Sequence, residues 1–135
     1  MEIKMEVGAV HEINVIVQEN MTAASMKSGN LDVLATPYMI ALMEQASAEL
    51  CQKYLPDGIS TVGTMVNIQH LAATNLGAPV RTVATLTDFD GRKATFEVVA
   101  YDNAGIIGKG THERFTIKIE SFIKKTQERK NLVAE

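Results

Sequence analysis

Glu44 stands in the middle of the largely apolar segment LATPYMIALMEQASAEL, residues 34–50. On a helical wheel of about 100° per residue, this glutamate lies outside the polar arc. That arc is formed by Gln45, Glu49, Gln52 and Lys53. We therefore expect Glu44 to point away from water and to have hydrogen-bond donors nearby, because burying an unpaired carboxylate is costly. A carboxylate in such a place can serve as a base or as a nucleophile.

Two further residues could join Glu44 in proton transfer, and each also has a purely structural interpretation. Thr36 comes eight residues before Glu44 on the same predicted helix, where it could simply be the N-cap. His70 lies on a predicted strand, where it could be a satisfied core histidine. A histidine near a desolvated carboxylate makes a workable acid and base pair. Glu44 could equally be a structural residue at a dimer seam.

One long helix should carry Thr36 and Glu44. Pro37 suits the first turn of a helix because its missing N–H is not needed there. The predicted helix runs from about Pro37 to Tyr54 and ends at the turn sequence LPDG. It is apolar over much of its circumference, as expected for a helix that a sheet encloses.

Alternating polarity predicts five strands around this helix. The first lies within residues 8–20, and the other four are rich in Val, Ile and Thr and cover about 59–71, 80–89, 92–101 and 106–119. We expect the last four to form an antiparallel meander. Strict alternation places the following residues on the face of His70 that covers the helix: Val62, Thr64, Val66 and Ile68.

Five antiparallel strands and one long central helix define an α+β domain in which the sheet wraps the helix, the arrangement called the hotdog fold. An uncovered sheet edge in this arrangement favours a homodimer with a continuous sheet. At 135 residues, with 46% hydrophobic and 21% charged residues, the chain fits one domain. We assign residues 1–120 to this domain and 121–135 to a charged C-terminal tail.

Composition excludes several functional classes. No run of about 18 apolar residues or signal peptide is present, so we expect no membrane association. The net charge of −3 argues against nucleic acid as a partner. The one cysteine, Cys51, cannot form an internal disulfide and is interpreted as a buried apolar residue of a cytoplasmic protein. His11 and His112 have no partners at ligand-like spacing, and we expect no metal and no cofactor.

The segments ATP and MEQAS on the helix, and VGTMVNIQHLAAT on the next strand, resemble the fluoroacetyl-CoA thioesterase family of hotdog proteins over about residues 8–120. The resemblance implies that Thr36, Glu44 and His70 form the catalytic set and that the backbone of Gly63 lies near the substrate carbonyl. It implies a thioesterase that hydrolyses a small or short-chain acyl-CoA to the free acid and CoA. In that reaction, Glu44 attacks the carbonyl or activates water, and His70 transfers the proton.

The segment between the first strand and the helix departs from the family pattern. The fluoroacetate-specific enzyme has phenylalanines there that form an apolar lid, whereas this chain reads SMKSGN at residues 25–30. We therefore expect no marked preference for the fluorinated acyl group. Two other functions stay open on the sequence: a non-catalytic acyl-CoA-binding hotdog protein, and a hotdog enoyl-CoA hydratase or dehydratase.

Overall fold

The computed structural model describes residues 2–134, in which one long helix packs against a five-stranded antiparallel sheet. The strands are β1 Val10–Ile16, β2 Ile59–His70, β3 Pro79–Phe89, β4 Lys93–Asp102 and β5 Gly105–Lys118. The helices are α1 Ala23–Met26, α2 Thr36–Gln52 and α3 Ile119–Lys130. The predicted α+β architecture is confirmed, and so is the existence of each predicted strand.

The order of the strands differs from the expected meander of four. The sheet runs β1-β3-β4-β5-β2, so β3, β4 and β5 form a meander while β2 pairs with β5 at the far edge. The prediction was wrong because the link over residues 71–78 is not a hairpin turn. Leu71 and Ala72 donate backbone hydrogen bonds to Ile107, at the β5 side, whereas Gly77 donates to Val17, at the β1 side. The chain thus crosses the sheet here, and β2 is left as an edge strand.

Helix α2 forms the centre of the core because one broad side of it is apolar. The buried side chains of this helix include Met39, Leu42, Met43, Ala46 and Leu50. They pack with inward side chains of the sheet such as Phe96 and Val98. Burial of these aliphatic and aromatic groups is what fixes the helix on the sheet.

The start of α2 differs by one residue from the predicted capping arrangement. Ala35 has the extended N-cap conformation, with φ −68° and ψ 139°, and Thr36 is the first helical residue. No side chain caps the helix, so the N-cap interpretation of Thr36 was wrong. The Thr36 hydroxyl is consequently available to a partner outside the helix.

The charged C-terminal segment continues directly from β5 into α3, and none of the α3 residues is buried. The domain limit at residue 120 stays a prediction. Among the helices of residues 2–134, none is both long enough and apolar enough to cross a membrane.

Candidate active site

A bulge in β2 decides which side chains of this strand face the helix. Gly63 pairs with Arg114, but Met65 pairs with Glu113, so one extra residue lies between them. Strict alternation would put positions 63 and 70 on opposite faces of the sheet. The extra residue shifts the alternation by one and brings them to the same face. Gly63 therefore shares the inner face with His70. Val62 falls on the outer face, and our grouping of Val62 with His70 was wrong.

Thr36 and His70 meet where α2 begins and β2 ends. The Thr36 hydroxyl and His70 Nδ1 share a hydrogen bond of 2.7 Å. The other ring nitrogen, Nε2, is buried and has no hydrogen-bond partner within residues 2–134. Burial lowers the pKa of His70 below its ordinary value of 6.5, because desolvation disfavours the imidazolium. At neutral pH the ring is therefore uncharged and able to accept a proton.

An open pocket of about 330 Å³ adjoins the Thr36–His70 pair. Its walls come from α1, the segment before α2 and the link after β2, and comprise Ala23, Ser28, Val33, Leu34, Leu71, Ala72 and Ala73. In the single chain, this depression is open to solvent on one side. It is large enough for a small acyl group or part of a thioester arm.

Glu44 lies against Gly63, at the other end of the inner face of β2. A Cβ atom at position 63 would come within 2.8 Å of Glu44 Oε2, so glycine is required for this close approach. The Glu44 side chain is 43% exposed, and our expectation that it points away from water is wrong for the isolated chain. Arg114 Nη1 lies 3.9 Å from Glu44 Oε2, which is an ion-pair distance and too long for the hydrogen bond that we expected.

The structure brings the four predicted site residues together as two separate pairs. The helical rise from Thr36 to Glu44 is about 12 Å. Along β2, Gly63 and His70 are roughly 20 Å apart. Within one chain, the Thr36–His70 pair and the Glu44–Gly63 pair are therefore too far apart to act on the same thioester.

A buried polar network beneath Gly63 was missed by the sequence analysis. Arg114 is 8% exposed and His112 is 1% exposed. Arg114 Nε donates to Thr61 Oγ1 at 2.9 Å, and Nη2 donates to the Thr61 carbonyl at 3.1 Å. Arg114 Nη1 donates to His112 Nε2 at 3.2 Å. Apolar alternation gave no signal for this network, since it would place Phe115 inside and Arg114 in solvent.

The remaining chemically interesting side chains do not join either pair. Cys51 is buried, as predicted, and burial raises the pKa of its thiol to about 11. His11 lies across α2 from the site, where its Nε2 is 2.9 Å from Glu49 Oε1. No group of three or more histidine, cysteine, aspartate or glutamate side chains in residues 2–134 is arranged to hold a metal ion.

The fold formed by these elements is shared with known proteins. A hot-dog-like protein from Thermanaerovibrio acidaminovorans, 23% identical, superposes with a TM-score of 0.85 over 93% of this chain and 93% of that protein. The solved structure of the fluoroacetyl-CoA thioesterase FlK superposes with a TM-score of 0.88 over 93% of this chain and 97% of that one, at 32% identity. The chain therefore has the hotdog fold, as predicted.

Sequence comparison narrows this class further. The family model for fluoroacetyl-CoA-specific thioesterases matches residues 17–120. The fluoroacetyl-CoA thioesterase of Streptantibioticus cattleyicolor is 38% identical over 98 residues, which are 73% of this chain and 70% of that protein. The chain belongs to the fluoroacetyl-CoA-specific thioesterase family. The predicted family and the predicted class of enzyme, a thioester hydrolase, are confirmed.

Proposed function

We propose that this protein hydrolyses a small or short-chain acyl-CoA to the free acid and CoA, using Thr36, Glu44, His70 and the backbone of Gly63. The observation that carries the proposal is the inner face of β2. It presents a histidine bonded to a threonine hydroxyl at one end and a carboxylate against a glycine at the other. These are the groups that thioester hydrolysis needs, namely a carboxylate, a proton carrier and backbone near the carbonyl.

The two pairs complete one site if β2 pairs with β2 of a second copy. In an antiparallel pair whose two-fold axis passes at Asn67, position 70 of one chain lies opposite position 63 of the other, because the bulge after Gly63 adds one residue to each strand. This axis is perpendicular to the sheet, so both copies of α2 stay on the same face. His70 and Thr36 of one subunit would then face Gly63 and Glu44 of the partner subunit, and each dimer would contain two such sites.

Three features of the single chain support this pairing. Strand β2 is an edge strand, and its unpaired backbone groups form a template for another strand. Val66, on the inner face next to the proposed axis, is 47% exposed, and Leu71 just beyond β2 is 52% exposed. The Glu44 carboxylate is 43% exposed although it lies against the sheet. A second copy would cover these groups and remove water from the carboxylate.

The chemistry follows from the positions of these groups. Glu44 either attacks the thioester carbonyl or activates a water molecule that does so. Backbone amides near Gly63 stabilise the negative charge that develops on the carbonyl oxygen. The C–S bond then breaks, and the proton that the attacking water loses passes by way of the neutral His70 ring, held by Thr36, to the thiolate of CoA. In the nucleophilic route, water subsequently hydrolyses the acyl–Glu44 anhydride and releases the acid.

The first prediction is that the protein is a dimer at micromolar concentration. Pairing of two β2 strands satisfies edge hydrogen bonds and covers apolar side chains such as Val66. Sedimentation equilibrium should give twice the mass of the chain, 14.7 kDa. A stable, folded monomer that hydrolyses acyl-CoA at full rate would contradict the shared site.

The second prediction concerns the acyl group and also tests the proposed activity. Ser28 of the segment SMKSGN lines the pocket beside Thr36 and His70, and no aromatic side chain of that segment covers the pocket. Thiol release from acetyl-, propionyl-, butyryl- and fluoroacetyl-CoA should therefore give kcat/KM values for acetyl- and fluoroacetyl-CoA within about tenfold of each other. A strong fluoroacetyl preference would show that another part of the chain supplies selectivity.

The same screen separates hydrolysis from binding alone. If an acyl-CoA raises the melting temperature but is recovered intact, the protein is a binding protein and the proposed hydrolysis is wrong.

We also propose the cytoplasm as the location of this protein. The free, buried thiol of Cys51 supports a reducing compartment.

A further inference from the structure

Arg114 is a buried cation whose guanidinium is held in one orientation. Its Nε and Nη2 donate to the side chain and backbone of Thr61, and its Nη1 donates to His112 Nε2. Because arginine can only donate, His112 Nε2 must accept. The proton of the neutral His112 ring is therefore on Nδ1, which donates to the Met65 carbonyl at 2.8 Å. Burial and the neighbouring Arg114 both lower the pKa of His112, and the ring stays neutral.

The carboxylate of Glu44 is the one acidic group within 4.0 Å of the Arg114 guanidinium among residues 2–134. Around this carboxylate, β5 contributes Arg114 and the neutral His112, and β2 contributes Gly63. The protonated thiol of Cys51, about two turns further along α2, lies near Arg114. Glu113, the neighbour of Arg114 in sequence, pairs instead with Lys93. Among the acidic side chains of residues 2–134, Glu44 is thus the one that pairs with this fixed positive charge.

We propose that Arg114 is a positioning residue that holds the ionised Glu44 carboxylate against Gly63, with Thr61 and His112 fixing the guanidinium. The inference rests on the proposed function, in which Glu44 is the reacting carboxylate. A long glutamate side chain on a half-open surface samples several rotamers, and catalysis requires one of them. A buried arginine with a rigid fork of donors selects that rotamer better than a flexible lysine does.

The test compares Arg114→Gln and Arg114→Lys with the parent protein. Arg114→Gln should lower kcat for acyl-CoA hydrolysis by about 10²-fold with little change in KM, because a displaced carboxylate reduces the rate more than it weakens substrate binding. Arg114→Lys keeps the charge but loses the fork, and it should recover part of the rate. In the Glu44→Gln background, Arg114→Gln should cause little further loss, since both changes then act on the same group.

A spectroscopic measurement covers the case in which Arg114→Gln does not fold. The ¹⁵N-labelled side-chain resonances of Arg114, assigned in the folded parent, should shift on Glu44→Gln. They should not shift on Glu49→Gln, the matched change on the wet face of the same helix. Equal responses to the two changes, or fully additive rate losses in the double variant, would overturn the role of Arg114. This readout needs no turnover, so absence of hydrolysis by the parent would overturn the proposed function without deciding the inference.

Discussion

Glu44→Gln should lower kcat for acyl-CoA hydrolysis by about 10²-fold or more while the fold and substrate binding are largely retained. Glutamine keeps the shape of the side chain and most of its hydrogen-bonding capacity, but it can neither accept a proton nor attack as an anion. The measurements are thiol release under saturating substrate, the melting temperature, and the dissociation constant for an acyl-CoA.

Glu49→Gln is the matched control for this change. Glu49 is on the same helix, where it contacts Gln45 and His11 rather than the inner face of β2. The Glu49→Gln variant should hydrolyse acyl-CoA at a rate close to that of the parent protein. If Glu44→Gln lowers the melting temperature but turns over thioester at nearly the parental rate, the glutamate is structural and the catalytic role assigned to it is wrong.

Mixing two inactive variants should restore activity. His70→Ala removes the proton carrier and Glu44→Gln removes the carboxylate, and each homodimer should be nearly inactive. In a mixed dimer, one shared site carries both changes and the other carries neither, because His70 and Glu44 of a given site come from different subunits. Random exchange of subunits makes about half of the dimers mixed, so the mixture should reach about a quarter of the parental rate.

The outcome of mixing separates a shared site from a site within one chain. If Glu44 and His70 acted together in the same subunit, each mixed dimer would contain two damaged sites and no activity would return. The control is a mixture of His70→Ala with the double variant His70→Ala/Glu44→Gln, in which no intact site can form under either arrangement. Mass spectrometry of the native dimers should confirm that subunits have exchanged.

Helical periodicity was sufficient to single out Glu44, because the wheel shows which residues depart from the polar arc. It predicted α2 to within two residues at its C-terminal end and the central part of each strand. The Thr36–His70 hydrogen bond depends on where β2 ends relative to the start of α2. Local sequence patterns do not determine how close the end of β2 lies to the start of α2. Only the resemblance to a known family suggested that Thr36 and His70 act together.

Other features could not be predicted because they reverse a local rule. The bulge after Gly63 inverts the alternation of β2, and no proline or second glycine marks it. The network around Arg114 puts polar groups on the inner face of β5, where alternation predicts apolar ones. The exposure of the Glu44 side chain depends on what packs against the edge of β2. In the proposed dimer this is a second copy of the chain, and the periodicity of the sequence does not reveal such a contact.

Because of the bulge in β2, the site depends on the number of residues between Gly63 and His70, and not only on the types of the residues at these positions. Deleting one residue between Met65 and His70, with the bulge retained, would turn either Gly63 or His70 to the outer face, even if each remaining side chain kept its type. Deleting two would restore the facing but shorten the distance between Gly63 and His70 by about 7 Å, which changes the register in which the two β2 strands of the proposed dimer could pair. For protein engineering, this stretch therefore tolerates substitution at its outward positions but neither insertion nor deletion.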